Sequence, residues 1–456
     1  MAISYSEARD VVTALGAAHA GYFKQEQSNQ EILPLQKAAG RIANNDVYSP
    51  ISTPIFDSSA MDGFAVISKQ TSLASAGRPL RMRVAGLIAA GDQPAKLGGK
   101  GGDLDDELVC VEIMTGAPFP LSSPDQVSFD ACIPVEQVEI VPDARMGRAI
   151  LIRQAVAPGT HRRMAGSDFR KGDVVLRAGS TIGAHHLMAL ASVGVCEVSV
   201  TRRPRLAVIS TGAELAAGCA LSRKDQQHKI PDTNSIYLRT ALQEIGADVD
   251  CLGPLPDDAG VLKGNISQAI RDERYDVVVT SGGVSAGRFD LIPGVVRDCG
   301  GDVRFHHVRM RPGHPVLVAT FGANRREAAF FGLPGNPIAA AACLRFLLIP
   351  YLRCLIGVSH GGGMLAAVTG PTTPKDRLCE DADTVLLAAT QHHDIFRHAH
   401  YRCREGQMIV EISTERSPAK MSPFSKSNCW VRLPAGSKSV RSNDLIEVYP
   451  FYSAGR

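Results

Sequence analysis

The stretch YDVVVTSGGVSAGRFD, residues 275–290, decides how the chain is read. Val277, Val278 and Val279 form a β-branched run that reads as a buried parallel strand. Thr280-Ser281-Gly282-Gly283 follows at once, then Val284-Ser285-Ala286-Gly287. Two adjacent glycines at a strand end permit backbone conformations that other residues resist. They also leave successive N–H groups able to face an anion. Asp290 stands at the far lip of the same loop. A carboxylate beside a phosphate cradle repels the phosphate unless a cation lies between them. The loop therefore points to a phosphorylated ligand with a divalent metal, although a Gly-Gly turn after a strand is common without one.

The sequence on either side alternates strands and helices. Residues 205–210 read as a strand that turns at Thr211-Gly212-Ala213-Glu214-Leu215. Asp232 or Thr233 is the expected N-cap of a helix over 236–245, closed by Gly246. Residues 255–258 open the next helix, and Asp276 leads into the central strand. Downstream, FFGLPGNP (330–337) is a strand with a Gly/Pro turn, and Pro337 suits the first turn of a helix over 338–348. This order fits a doubly wound α/β domain with a parallel sheet, which binds ligands at the carboxyl ends of its strands. Glu214, Asp257, residues 281–285 and Asp290 fall at or just beyond such ends.

Ser4-Tyr5-Ser6-Glu7 is a capping box ahead of an amphipathic helix with Ala8, Val11, Val12 and Leu15 on its apolar stripe. Residues 33–47 read as a helix-and-turn connector. Short strands are expected at 64–67, 82–85, 108–113, 131–135, 138–141 and 149–152, a spacing that predicts a small β domain. Residues 98–107 are Gly/Asp-rich and read as a hairpin tip. A strand over 174–176, a helix over 181–193 and a strand over 195–200 follow. From about residue 358 the pattern returns to short strands.

A length of 456 residues predicts about three domains. The net charge of +3 gives no argument for a nucleic-acid partner. The start lacks the pattern of a signal peptide. Eleven cysteines without a C-x-x-C pair favour reduced thiols and a cytoplasmic setting. The apolar stretch 338–355 carries Arg345, Pro350 and Arg353, so it reads as a buried helix rather than a membrane span. His392, His393, His398 and His400 lack partners at zinc-ligand spacing and are expected on the solvated surface. His185 and His186 are expected to point apart on a helix.

Seven motifs, in order, resemble the molybdopterin molybdenumtransferase family, the bacterial MoeA proteins and the E domain of gephyrin. They are FDSSAMDGFAV (56–66), IMTGAPFP (113–120), RRMAGSD (162–168), STGAEL (210–215), DTNS (232–235), TSGGVSAGRFD (280–290) and GLPGNP (332–337). Each is weak alone, but together they span most of the chain. The resemblance implies a multidomain α/β plus β subunit. Its parts would be an N-terminal linker domain in two segments (1–54 and 151–202), an inserted small β domain (55–150), an α/β molybdopterin-binding domain (203–356) and a C-terminal β-barrel (357–456). It further implies a homodimer with a cleft shared between subunits, and a molybdopterin adenylyltransferase protein or domain as upstream donor. The implied reaction inserts molybdate into adenylylated molybdopterin, releases AMP and uses Mg2+.

On the same resemblance, Asp62, Thr115, Asp168, Glu214, Asp257 and Asp290 are the catalytic candidates. Asp62, Glu214, Asp257 and Asp290 are the metal ligands, since hard oxygen donors suit such an ion. Ser281, Gly282, Gly283, Ser285, Arg311, His314, Pro334, Gly335, Asn336 and Pro337 are the cofactor-binding candidates. Two departures stand out. Ala213 occupies a position where the family commonly has an acidic residue, and Arg311-Pro312-Gly313-His314-Pro315 replaces a lysine-bearing KPGKP. Arg311 keeps a cation that forks onto oxyanions. A non-catalytic scaffold of the gephyrin E-domain type is the alternative reading, and the retained carboxylates favour the enzyme.

Overall fold

The computed structural model describes residues 2–25, 30–94, 108–121, 128–143, 147–216, 228–271, 274–285, 287, 290–323, 326–358, 364–369 and 385–451. The expected hairpin tip at 98–107 lies outside the described residues.

The central sheet has six strands in the order Asp248–Cys251, Arg205–Ser210, Val277–Ser281, Arg326–Leu333, Leu317–Ala323, Asp302–His306. The first four run parallel. Alternation along a strand sends successive side chains to opposite faces. Leu206, Val208, Val277 and Val279 accordingly join one core with the helices Tyr5–Gln25, Thr233–Glu244 and the run from Pro337 to Leu355. Ala207, Ile209 and Val278 join a second core with the helices Ala259–Arg271 and Ile292–Asp298. The sheet is thus wound on both faces, but it is mixed where a parallel sheet was expected. Leu317–Ala323 runs antiparallel to both of its neighbours, and the edge strand Asp302–His306 returns to the direction of the first four. The strand Asp248–Cys251 escaped the sequence reading because its residues are mostly polar and only Val249 is buried.

The N-terminal capping box forms, with the Ser4 N–H and hydroxyl both donating to Glu7 Oε2 at 2.7 Å. Its helix buries Ala8 and Val12 against the α/β core. The apolar run from Pro337 to Leu355 is long enough to cross a membrane, yet 78% of it is buried inside the protein. Its central turn, Leu344–Leu348, opens to π geometry. Pro350 has no N–H for the Phe346 carbonyl, and the wider turn relieves the ring's clash.

The small β domain is a six-stranded sheet in the order Ala131–Pro134, Gly63–Val66, Val109–Ile113, Leu80–Ile88, Gly147–Ile152, Val138–Asp143. All five downstream strands expected there are present. Residues 33–47 hold a short 3-10 helix, Leu35–Lys37, and a turn, but strands flank them where none was expected. Leu33 and Pro34 belong to the strand Gln30–Pro34, which pairs with Glu197–Thr201, and Val47–Tyr48 pairs with Val174–Leu176. Cross-strand burial of Leu176, Val198 and Val200, with Leu35 packed on them from the short helix, sets this segment. Near the C-terminus, Met364–Thr369, Asp394–Arg404, Gln407–Ile412, Cys429–Leu433 and Leu445–Pro450 close into a five-stranded barrel. Val308–Arg311 leaves the α/β segment to pair with the barrel strand Asp394–Arg404.

Two histidine expectations fail. His398 is buried, not solvated, with Nδ1 2.8 Å from the Ser427 hydroxyl, because the barrel turns alternate residues of its strand inward. The rings of His185 and His186 do not point apart: their centroids are 3.9 Å apart, since Gly183 N–H holds His186 Nδ1 at 3.1 Å over the helix start.

Candidate functional site

The sequence-predicted residues fall into three groups. The first sits at the carboxyl ends of the parallel strands. Gly282 has φ +101°, and a Cβ there would lie 2.5 Å from the Thr211 carbonyl oxygen. Only glycine fits this crossing of two strand-end turns. The Gly282 N–H, expected to be free, donates to the Leu333 carbonyl at 3.0 Å. The anion cradle therefore shifts by one residue. Among the described residues, the N–H groups of Gly283, Val284 and Ser285 have no protein acceptor.

The loop after Leu333 is tied directly to this cradle. Asn234 Nδ2 donates to the Ser281 hydroxyl and to the Gly335 carbonyl, both at 2.8 Å. Ser281 in turn donates to the Pro334 carbonyl at 3.3 Å. Asn234 is held in place by its own helix start, where Asp232 accepts the Ser235 N–H at 3.0 Å. Asn336 and Pro337 open the buried helix, and the Ile338 N–H is taken by the Pro418 carbonyl at 2.9 Å. One asparagine thus clasps the SGGVS and GLPGNP turns together.

The carboxylates line the same rim. Asp257 Oδ2 accepts the Ala213 N–H at 3.0 Å, which brings it to the turn that carries the exposed Glu214. Asp290 Oδ2 accepts the Gly287 N–H at 2.5 Å and so closes its own loop. Each keeps an oxygen outside these bonds. The four-carboxylate metal cage is not assembled: among the described residues no three His, Cys, Asp or Glu gather at metal-holding distance. Mg2+ commonly takes only one or two carboxylates with ligand phosphates, and Glu214 with Asp257 matches that smaller set.

A second group lies on the small β and linker strands. Asp62 and Thr115 meet, with the Thr115 N–H 2.6 Å from Asp62 Oδ1. That bond first, and one from the Thr115 hydroxyl, hold the Asp62 carboxyl below the usual carboxylate range. Asp57, missed in the sequence, accepts Arg162 Nε at 3.0 Å and the Ala165 N–H at 2.7 Å. Burial pushes Asp57 up, but these donors outweigh it and the net shift is down. The pair fixes RRMAGSD beside FDSSAMDG, and Asp168 remains exposed on it. Among the described residues, no hydrogen bond or ion pair joins this group to the α/β loops. Arg311 and His314 form the third group. Arg311 is exposed, while His314 Nδ1–H donates to the Val308 carbonyl at 2.7 Å and so caps its own turn.

These loops stand on sequence segments with known relatives. Residues 3–194 match the family described as MoeA N-terminal region (domain I and II), and residues 207–354 match the one described as "Probable molybdopterin binding domain". A molybdopterin molybdenumtransferase of Haemophilus influenzae is 32% identical over 427 residues, covering 92% of this chain and 94% of the relative. The chain belongs to the molybdopterin molybdenumtransferase family. A relative of the same name from Synechococcus elongatus is 28% identical, again over 92% of this chain and 94% of its own. Among solved structures, a molybdopterin biosynthesis MoeA protein of Pyrococcus horikoshii superposes with a TM-score of 0.74 at 28% identity, covering 99% of both chains.

Within that family frame, three features lay beyond the sequence reading. Asn234 reads as helix-start chemistry inside DTNS, and its reach to two other loops is a tertiary fact. Asp57 and Arg162 are 105 positions apart, and nothing local pairs them. Pro418 arrives from the barrel side.

Proposed function

We propose that this protein is a molybdopterin molybdenumtransferase that acts in molybdenum cofactor biosynthesis by inserting molybdenum into molybdopterin. The observation that carries the reading is the Asn234 clasp, which sets an N–H cradle and a rigid Gly/Pro turn side by side at the strand ends. Such a place suits a flat, phosphorylated ligand.

In the finer reading the substrate is adenylylated molybdopterin. The N–H groups of Gly283 to Ser285 bind its phosphate oxygens, and the turn from Pro334 to Pro337 gives its ring system a bare backbone wall. Glu214 and Asp257 would hold Mg2+, which supplies positive charge next to the phosphates. Arg311 presents paired N–H donors to molybdate, a tetrahedral oxyanion. His314 adds a donor to the same edge only as the imidazolium, because in the neutral ring the proton sits on Nδ1 facing Val308 and Nε2 accepts. Asp62, with Thr115 behind it, and Asp168 approach from the other face of the cleft.

One chain leaves the Asp62 group apart from the loops, and this supports a homodimer in which FDSSAMDGFAV of one subunit meets the SGGVS and GLPGNP turns of its partner. The apolar side chains Ile55, Phe56, Met61 and Met164 lie exposed on segments that hydrogen-bond to one another. Exposed apolar side chains gathered into one patch mark an interface. A separate adenylyltransferase would deliver the substrate in the cytoplasm. The deciding experiment supplies adenylylated molybdopterin, molybdate and Mg2+ to the purified protein. Release of AMP with active cofactor supports the reading, and intact nucleotide after prolonged incubation refutes it.

A further inference from the structure

The chain changes sheets at His306-His307. Asp302–His306 is the outer strand of the α/β sheet, and Val308–Arg311 pairs with the barrel strand. His307 makes the switch at φ +71°, an unusual conformation for a residue with a Cβ. Its ring stacks on His306 with centroids 3.8 Å apart and faces His314 at 5.1 Å. The His306 ring, fixed by this stack, reaches into the phosphate loop: Nε2 lies 2.8 Å from the Val284 carbonyl. A carbonyl only accepts, so Nε2 carries the proton.

Val284 is anchored a second time. Its side chain is buried over Gly332, where a Cβ would lie 2.8 Å from Val284 Cγ1. In a planar trans peptide the carbonyl and the following N–H point in opposite directions. Pinning the Val284 carbonyl on His306 therefore turns the Ser285 N–H to the other side, away from the edge strand. That N–H has no protein acceptor among the described residues.

We infer that His306 is a positioning residue of the phosphate loop: its Nε2–H fixes the 284–285 peptide plane and so aims the Ser285 N–H at a ligand phosphate. The inference rests on the reading of 281–285 as the molybdopterin phosphate cradle. His306 touches no ligand itself. Its effect belongs in ground-state binding rather than in turnover, and any side chain that restores a donor at the Nε2 position restores the effect.

The test measures molybdopterin affinity, kcat and KM for the wild type, His306→Phe, His306→Gln and the loop control Gly282→Ala. Phenylalanine keeps a flat ring for the His307 stack but donates nothing. It should weaken binding about tenfold, the worth of one lost hydrogen bond, raise KM to match and leave kcat nearly unchanged. Glutamine places an N–H near the Nε2 position and should recover affinity to within about threefold. If the phenylalanine variant does not fold, His306→Asn replaces it, since its shorter amide cannot span to Val284. Wild-type affinity in the donor-free variant, with binding lost in Gly282→Ala, overturns the inference and leaves the cradle reading intact. Wild-type affinity in Gly282→Ala overturns the cradle reading and the inference with it. Equal loss in the phenylalanine and glutamine variants, both folded, shows that the stack rather than the donor matters and also overturns it.

Discussion

At the scale of single residues, the carboxylates divide by what their oxygens already do. Asp62 is exposed and accepts from both the N–H and the hydroxyl of Thr115, so Asp62→Ala releases two donors to water. We expect a loss of more than about tenfold in cofactor formation with the denaturation midpoint nearly unchanged. Equal activity, or early melting, counts against its role. Asp290→Ala should behave differently, because its carboxylate also closes the loop on Gly287. His398 gives a pH signature. Burial first, then Arg397, lowers it from 6.5 to about 4. The folded chain keeps it neutral while the unfolded chain protonates it, so its contribution is complete above about pH 6.5 and is lost toward pH 4. Between about pH 7 and about pH 5 that loss is about 2 kcal/mol. Urea unfolding of wild type and His398→Phe at both pH values should show the smaller drop in the variant. The carboxylates and glycines were legible because turn chemistry is local. Asn234, Asp57 and the buried His398 were not, because each role depends on residues far away in sequence.

At the scale of elements, period and caps carried most of the reading. The Val277–Ser281 strand, the Asp232 cap and the short strands of the inserted sheet follow from β-branching, capping and alternation. The polar edge strand Asp248–Cys251 has no such signal, and the strands at 30–48 are defined by partners beyond residue 170. Glycine on the first helix, Tyr5–Gln25, separates local from tertiary control. A Cβ at Gly16 would lie 2.4 Å from the Tyr351 carbonyl oxygen and 2.7 Å from Cys354 Cβ. At Gly21 it meets nothing within 4 Å. Alanine gains about 1 kcal/mol in helix propensity at either site. At Gly16, overpacking of about 1–3 kcal/mol exceeds that gain. Gly21→Ala should therefore raise the midpoint of chemical denaturation and Gly16→Ala should lower it. The same sign for both would mean that the helix does not pack on Ile349–Leu355 as described.

At the scale of the molecule, the question is whether one active site draws on two subunits. Asp62 and Asp257 belong to groups that no hydrogen bond or ion pair joins among the described residues of one chain. If the site is composite, Asp62→Ala spoils one half of each site in its dimer and Asp257→Asn the other half. Each homodimer is then inactive. Unfolding and refolding the two variants together gives homodimers and heterodimers in a statistical ratio, with about half of the dimers mixed. In a mixed dimer one site takes both defects and the other takes none. Activity should therefore return to about a quarter of the wild-type value, one good site in half of the dimers. A site confined to one chain gives the opposite outcome, since every subunit in the mixture still carries one defect and no activity returns. Ile55→Asp and Met164→Asp provide the structural arm of the test. Both residues are more than half exposed on the two segments that Asp57 ties together, so the charges are harmless in a monomer and repel across an interface. The double variant should sediment as a monomer, keep its secondary structure and lose cofactor formation. It should also fail to complement Asp257→Asn, because a partner that does not dock cannot lend its Asp62.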